Sequence, residues 1–151
     1  MRIIIDGNDG VGKTWLAKKL QQELDITSYI HLTYKDPKDY YFYSSMLKKH
    51  DVVFDRSFMD EHIYSEVLGR QPEFPEEVER MLYQQVKDAG YRVIICHTKN
   101  KKLKENEHKE IKMFEEKIDT YFKNIALKHG YYYFDPINGN YEALLNELKE
   151  K

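Results

Sequence analysis

Gly7-Asn8-Asp9-Gly10-Val11-Gly12-Lys13-Thr14 follows the spacing G-x-x-x-x-G-K-[ST], and the chemistry this spacing serves is the capture of a polyphosphate. Glycines let backbone N–H groups turn inward around phosphate oxygens, a helix N-terminus adds partial positive charge, and Lys13 neutralises the outer phosphates. Thr14 offers a hydroxyl to Mg²⁺. The four specified positions would coincide somewhere in such a chain roughly 0.5% of the time at average residue usage. A Gly-rich strand-to-helix turn with a capping Thr is the plain alternative, but an apolar strand before the motif and an amphipathic helix after it favour the cradle. A nucleoside triphosphate, ATP, is the first expected ligand.

A phosphate donor carried with Mg²⁺ also needs a carboxylate to hold the metal's water shell, ordinarily at the end of a neighbouring strand. Val52-Val53-Phe54-Asp55-Arg56-Ser57 puts Asp55 and Arg56 at such an end. Asp55 joins Thr14 as a candidate metal residue, and capping of the following helix by Asp55 or Ser57 is compatible with that role. Among the five arginines, Arg2 and Arg92 precede strands, away from the phosphates, and Arg80 sits in a helix of mixed charge. Arg56 is the candidate for gripping an acceptor's phosphate, because a planar, permanently charged guanidinium matches the charge that builds during transfer. Arg70 reads as a solvated cation at a helix end. Thr33-Tyr34-Lys35-Asp36-Pro37 closes another strand. There Lys35 suits a phosphate and Asp36 a hydroxyl proton, with an Asp-Pro turn the equal alternative.

The elements that must position these groups show in the hydrophobic pattern. Arg2 to Asp6, Tyr29 to Tyr34, Val52 to Asp55, Tyr91 to Cys96 and Tyr131 to Phe134 are short apolar runs that read as five strands. Amphipathic stretches separate them, marked by Leu16, Leu20, Leu24; Ile63, Val67; Val78, Leu82, Val86; Ile111 to Ile125; and Leu144, Leu145, Leu148. Pro75 fits a helix's first turn, and Gly90 and Gly130 fit just past helix ends. Alternation of helices with continuously apolar strands predicts an α/β fold, a five-stranded parallel sheet flanked by helices with ligands at the carboxyl ends of the strands; with the Gly7–Thr14 motif after its first strand, this resembles the three-layer P-loop NTPase arrangement.

At 151 residues with 41% apolar and 33% charged residues, residues 1–151 form one expected domain with a real core. One cysteine, Cys96, excludes an intramolecular disulfide and favours a reducing compartment. No run approaches the roughly 18 apolar residues of a membrane span, and Ile3-Ile4-Ile5 is too short for a signal peptide core. These features predict a cytoplasmic protein, in the host cytoplasm if its source is viral. A net charge of −2 weighs against a nucleic-acid partner. The histidines lack metal-ligand spacing.

The P-loop, Lys35-Asp36-Pro37 and Asp55-Arg56-Ser57, in this order, make the chain resemble the thymidylate kinase and deoxynucleoside kinase branch of the P-loop kinases over nearly its whole length. Thymidylate kinases commonly carry an acidic residue where Asp9 stands, Arg-Glu-Pro after the second strand, and Asp-Arg-Tyr after the third with a Tyr nine positions beyond its Asp, where Tyr64 stands. Deoxynucleoside kinases carry Glu-Arg-Ser instead, so Asp55-Arg56-Ser57 is a hybrid. The resemblance implies Gly7 to Thr14 and above all Lys13 on the donor, Thr14 and Asp55 near Mg²⁺, Arg56 on the acceptor phosphate and Asp9 facing the acceptor's sugar. It also implies Tyr64 and Phe58 walling the acceptor site, a lid over approximately 98–109 bearing Lys99, Lys101, Lys102, Lys104 and Lys109, and an adenine contact at Asp135-Pro136-Ile137-Asn138-Gly139. Compact forms of this fold are familiar among viral nucleotide kinases. The chain departs from the pattern in lacking a lid or P-loop arginine, in the short Lys38 to Phe54 segment, and in Ser57. Tyr40-Tyr41-Phe42-Tyr43 within that segment suits either base stacking or the underside of a short helix.

The expected activity is ATP- and Mg²⁺-dependent phosphoryl transfer to a deoxynucleoside monophosphate, with a nucleotide or nucleoside as the small-molecule partner and a homodimer left open. The alternatives are a deoxynucleoside kinase, a kinase acting on a nucleic-acid 5′ end, and a non-catalytic nucleotide-binding switch.

Overall fold

A computed structural model describes residues 1–99 and 109–150, with the side chains of 109–112 left aside. The chain runs β1 (Arg2–Gly7), α1 (Lys13–Glu23), β2 (Ser28–His31), α2 (Tyr40–Leu47), β3 (Val52–Asp55), α3 (Met59–Leu68), α4 (Glu76–Asp88), β4 (Arg92–Cys96), α5 (Lys109–His129), β5 (Tyr132–Phe134) and α6 (Tyr141–Lys149). The strands form one five-stranded sheet in the order β2-β3-β1-β4-β5. Every pairing is parallel.

Successive strand residues point to opposite faces of the sheet. Ile4, Phe54, Val93 and Ile95 face a core built with Tyr43, Met59, Leu82, Val86 and Phe122 from α2, α3, α4 and α5. Ile3, Ile5, Val53 and Ile94 face Leu16 and Leu20 of α1 and Leu144, Leu145 and Leu148 of α6. Both faces are covered, which explains why the strands read as unbroken apolar runs.

β2 ends at His31 rather than running on to Tyr34, because its neighbour β3 stops at Asp55; the last link is the Leu32 N–H to the Asp55 carbonyl at 3.0 Å. Tyr40 to Leu47 forms a helix, with the Asp39 side chain accepting the Phe42 N–H at 2.9 Å as its cap. The chain steps left from β1 to β2 and right to β4, so the sheet's direction reverses at β1, and the loop after β1 opens into the crevice at that switch point. Arg2 lies at the opposite edge, as expected, donating to the carbonyls of Lys49 and Ala89.

Candidate active site

The loop between β1 and α1 is shaped by two close approaches. Gly7 has φ 139°, and a Cβ there would run into the Cys96 carbonyl of β4. Gly12, at φ 93°, would place a Cβ 3.0 Å from the Pro136 side chain. Side chains at these positions would be strained and displaced, so glycine is required. Val11 between them is 1% exposed and packs into the core shared by α1 and α6. Asn8 is buried and donates to the Glu115 carbonyl at 3.2 Å and to Asp119 Oδ1 at 3.1 Å, tying the loop to α5. Lys13 is 6% exposed and donates across the loop to the Asn8 carbonyl. The first intrahelical bond of α1 runs from the Leu16 N–H to the Gly12 carbonyl at 3.1 Å, so the Lys13, Thr14 and Trp15 amides belong to the open helix end. An open helix end of this kind favours anions.

Thr14 and Asp55 meet across the sheet: the Thr14 hydroxyl donates to Asp55 Oδ2 at 2.6 Å, and the Tyr29 hydroxyl donates to the same oxygen at 2.8 Å. Burial, reinforced by the Asp55 hydrogen bond, pushes the Tyr29 hydroxyl up to about 12. The other Asp55 oxygen, Oδ1, is buried with no hydrogen-bond partner. A buried carboxylate oxygen without a partner is costly. A metal-bound water would satisfy it, and the Thr14 hydroxyl beside it supplies the second oxygen donor, so these residues fit Mg²⁺. Among the described residues no group of three or more potential metal-ligating side chains is present.

Beside the loop lies a cavity of about 460 Å³ lined by Asp9, His31 to Tyr34, Lys38, Tyr43, Arg56, Ser57, Asp60, Glu61, Tyr64, Leu68 and Arg70. Arg56 stands at the junction. Its φ is 80°, a conformation unusual for a non-glycine residue and one that strained functional positions adopt. Its guanidinium bonds Asp60 Oδ2 at 2.9 Å and reaches Asp9 of the loop. Tyr64 places its hydroxyl 3.4 Å from Asn8 Oδ1.

Two features lie behind this junction. Asp6, fully buried at the end of β1, accepts the Gly7 N–H at 2.8 Å and the Ser57 hydroxyl at 2.6 Å. Burial and the nearby Asp6 carboxylate push the Asp60 carboxyl well above the usual carboxylate range, with Arg56 offsetting them only in part. At the far wall, Glu61 is 3% exposed; its Oε1 accepts from the Ser65 hydroxyl (3.2 Å), Arg70 (3.2 Å) and the Glu73 N–H (3.0 Å), and its Oε2 lies 3.7 Å from Lys38 Nζ.

The sequence-derived candidates distribute unevenly. Asp9, Arg56 and Tyr64 line the cavity, and the Gly7 to Thr14 loop, with Asp55 held to Thr14, lies beside it. Arg70 is the exposed cation just past the end of α3 that the sequence suggests, and it also pairs with Glu61 and lines the wall. Lys35 and Asp36 do not line the cavity. Asp36 closes the turn by accepting the Thr33 N–H at 2.7 Å, and Lys35 is exposed, 5.9 Å from the Tyr34 ring centre. Phe58 is 1% exposed and packs edge-on against Tyr43 and Tyr83, so it backs the cavity from the core rather than walling it. Of the expected lid, Lys101, Lys102 and Lys104 lie outside the described residues, as does the side chain of Lys109.

Sequence reasoning missed Asp60, Glu61 and Lys38. One signal was present: Asp60, Tyr64 and Leu68 recur at helical spacing on the face of α3 that meets the cavity.

The parallel sheet of this order, with the Gly7–Thr14 loop at its switch point and Asp55 on the adjacent strand, is the three-layer α/β arrangement of the P-loop NTPase fold. Solved structures share it. The YorR protein of Bacillus subtilis, solved in complex with phosphorylated GDP, is similar with TM-score 0.76 and 18% identity over 98% of this chain and 93% of that one. Deoxyadenosine kinase from M. mycoides with bound dATP gives TM-score 0.58 and 15% identity, covering 99% of this chain and all of the other. The same kinase with products dCMP and a flexible dCDP gives 0.55 and 15%, covering 98% and 96%. No protein-family model and no curated protein sequence matches the chain.

Proposed function

We propose that the protein transfers the γ-phosphoryl group of ATP, with Mg²⁺, to a nucleoside-class acceptor in the 460 Å³ cavity, and that this acceptor is a deoxynucleoside monophosphate. The observation that carries the reading is the Arg56–Asp9 ion pair, which joins the cavity to the phosphate loop. A group held by Arg56 therefore lies beside the polyphosphate cradle.

Lys13 leaves the Asn8 carbonyl for the outer phosphates, and the amides opening α1 receive the inner ones. Thr14 and Asp55 would hold Mg²⁺, which neutralises charge on the donor's phosphate oxygens. Arg56 turns from Asp9 to the acceptor's phosphate, while Asp60 keeps its guanidinium aimed. The acceptor oxygen is already anionic, so alignment and charge neutralisation supply most of the acceleration. The solved deoxyadenosine kinase and YorR complexes, which hold nucleotides on the same fold, support this class of ligand.

One observation favours a nucleoside acceptor instead. The three cavity cations are already paired, Arg56 with Asp9 and Asp60, and Arg70 and Lys38 with Glu61. A neutral acceptor breaks none of these pairs. Its hydroxyl would then need a base, and Asp9, with a side chain 64% exposed beside the cavity, would serve by giving up its pair with Arg56 only as it takes the proton.

A coupled assay with ATP, Mg²⁺ and a panel of nucleosides and monophosphates decides. ADP released only with monophosphates supports the first reading, and release only with nucleosides supports the second. Silence across the panel, with ATP still bound, supports a switch.

A further inference from the structure

The proposed polyphosphate cradle ends in an aromatic corner beside the Asp135–Gly139 turn, where the family resemblance implies an adenine contact but assigns nothing to Trp15, Lys19 or Tyr141. Trp15 follows Thr14 directly and is 49% exposed. The indole meets the Tyr141 ring edge-on, with centres 6.0 Å apart and planes at 65°. The Lys19 ammonium lies over both rings, 5.0 Å from the Trp15 centre and 4.3 Å from that of Tyr141. Tyr141 opens α6, and the turn before it carries Pro136, which abuts Gly12 of the phosphate loop, and Ile137, 58% exposed. A half-exposed tryptophan is thus fixed from one side by a tyrosine and a lysine, at the foot of the loop.

The direction of a bound polyphosphate follows from the loop. The terminal phosphate must face Lys13 and the Arg56 side, since transfer occurs there. The inner phosphates then run along the open amides of α1, of which Trp15 contributes the last before the first intrahelical bond. Whatever is esterified to the innermost phosphate emerges beside the Trp15 side chain. An exposed indole accepts a flat ring on its face, and Lys19 and Tyr141 hold it in one orientation.

We propose that Trp15 is the stacking platform for the donor's nucleobase, which makes it the residue that distinguishes a nucleoside triphosphate from a bare polyphosphate. The inference rests on the phosphate-cradle reading and adds the site's selectivity for an aromatic base.

Trp15 is the single tryptophan of the chain, so its emission reports on this corner alone. Fluorescence titration and calorimetry are run in parallel with ATP and with inorganic tripolyphosphate, magnesium present, on the wild type, Trp15→Ala and Trp15→Phe. ATP is expected to quench the indole and tripolyphosphate to leave it nearly unchanged. Trp15→Ala should weaken ATP about tenfold, the scale of losing one base-stacking aromatic, leave tripolyphosphate within about twofold, and be largely rescued in Trp15→Phe. Equal ATP affinity in wild type and Trp15→Ala, or equal quenching by the two ligands, overturns the platform while the cradle stands. No heat with either ligand overturns both.

Discussion

Glu61 offers the sharpest test of how the cavity is held. In Glu61→Ala the Ser65 hydroxyl, 2% exposed at residue level, and the Glu73 N–H lose their acceptor, while Arg70 and Lys38 lose their counter-charge. Hydrogen bonds to a charged, buried acceptor contribute about 1.5–3 kcal/mol each before water replaces them. The side chains of Arg70 and Lys38 are 40% and 28% exposed, so solvent recovers most of their interaction and each pair contributes about 0–1 kcal/mol. The two local donors, together with the void left by the deleted methylene and carboxylate, bring the expected loss to about 3 kcal/mol. In a chain of this length that is roughly 6–12 °C in Tm. Glu61→Gln keeps an oxygen for Ser65 and Glu73, and should lose less than half as much. Urea denaturation at constant m measures both, and steady-state kinetics should show a raised acceptor KM with the donor KM little changed. Equal costs for the two variants, or a loss below about 1 kcal/mol for Glu61→Ala, would refute the account of Glu61 as the bracket of the cavity wall.

Lys13→Ala should abolish donor use, whereas Arg56→Ala should raise acceptor KM and lower kcat with donor binding by calorimetry intact; small, equal effects on both substrates would count against the division of roles. Gly7→Ala should cost more than about 2 kcal/mol in a thermal melt and remove ATP binding, because its Cβ meets the Cys96 carbonyl at a φ of 139°. Asp60 has its carboxyl pKa raised in the fold by burial and Asp6, so the native state binds more protons than the unfolded chain and stability falls as pH rises from about 4 through the folded pKa. Asp60→Asn removes that slope: its stability relative to wild type, from urea melts at pH 5 and pH 8, should improve at the higher pH, and a constant difference would contradict a proton held there.

The parts legible in the sequence are those whose chemistry demands contiguity. The Gly7 to Thr14 motif has its glycines, lysine and threonine at fixed local offsets, so its place between β1 and α1 could be read directly, and the position of Asp55 followed from the end of an apolar run. The cavity wall was not legible because its partnerships reach across the chain: Glu61 binds Arg70, Glu73 and Lys38, and nothing in the spacing of those residues announces a shared carboxylate. Asp36 was open between two readings because a carboxylate after a strand suits a turn as well as a base, and here it accepts the Thr33 N–H of the turn. Phe58 departs from its expected place because Arg56, two residues before it, lies at a positive φ and lines the cavity while the aromatic ring turns to the core. The five-stranded parallel sheet was legible while the order of its strands was not, and β2 and β5 proved shorter than their apolar runs because edge strands extend only as far as a neighbour pairs with them.

Val11 sits at the crest of the phosphate loop with its side chain sunk among leucines of α1 and α6. Loops that wrap anions often stay slack until the anion arrives, and the guest then bears the entropic loss of freezing them. Here an oily peg has already fixed that part of the loop during folding, so under the proposed function a triphosphate would enter a mould that has set. Trimming that peg to alanine would soften the mould and shift the burden of ordering onto the guest.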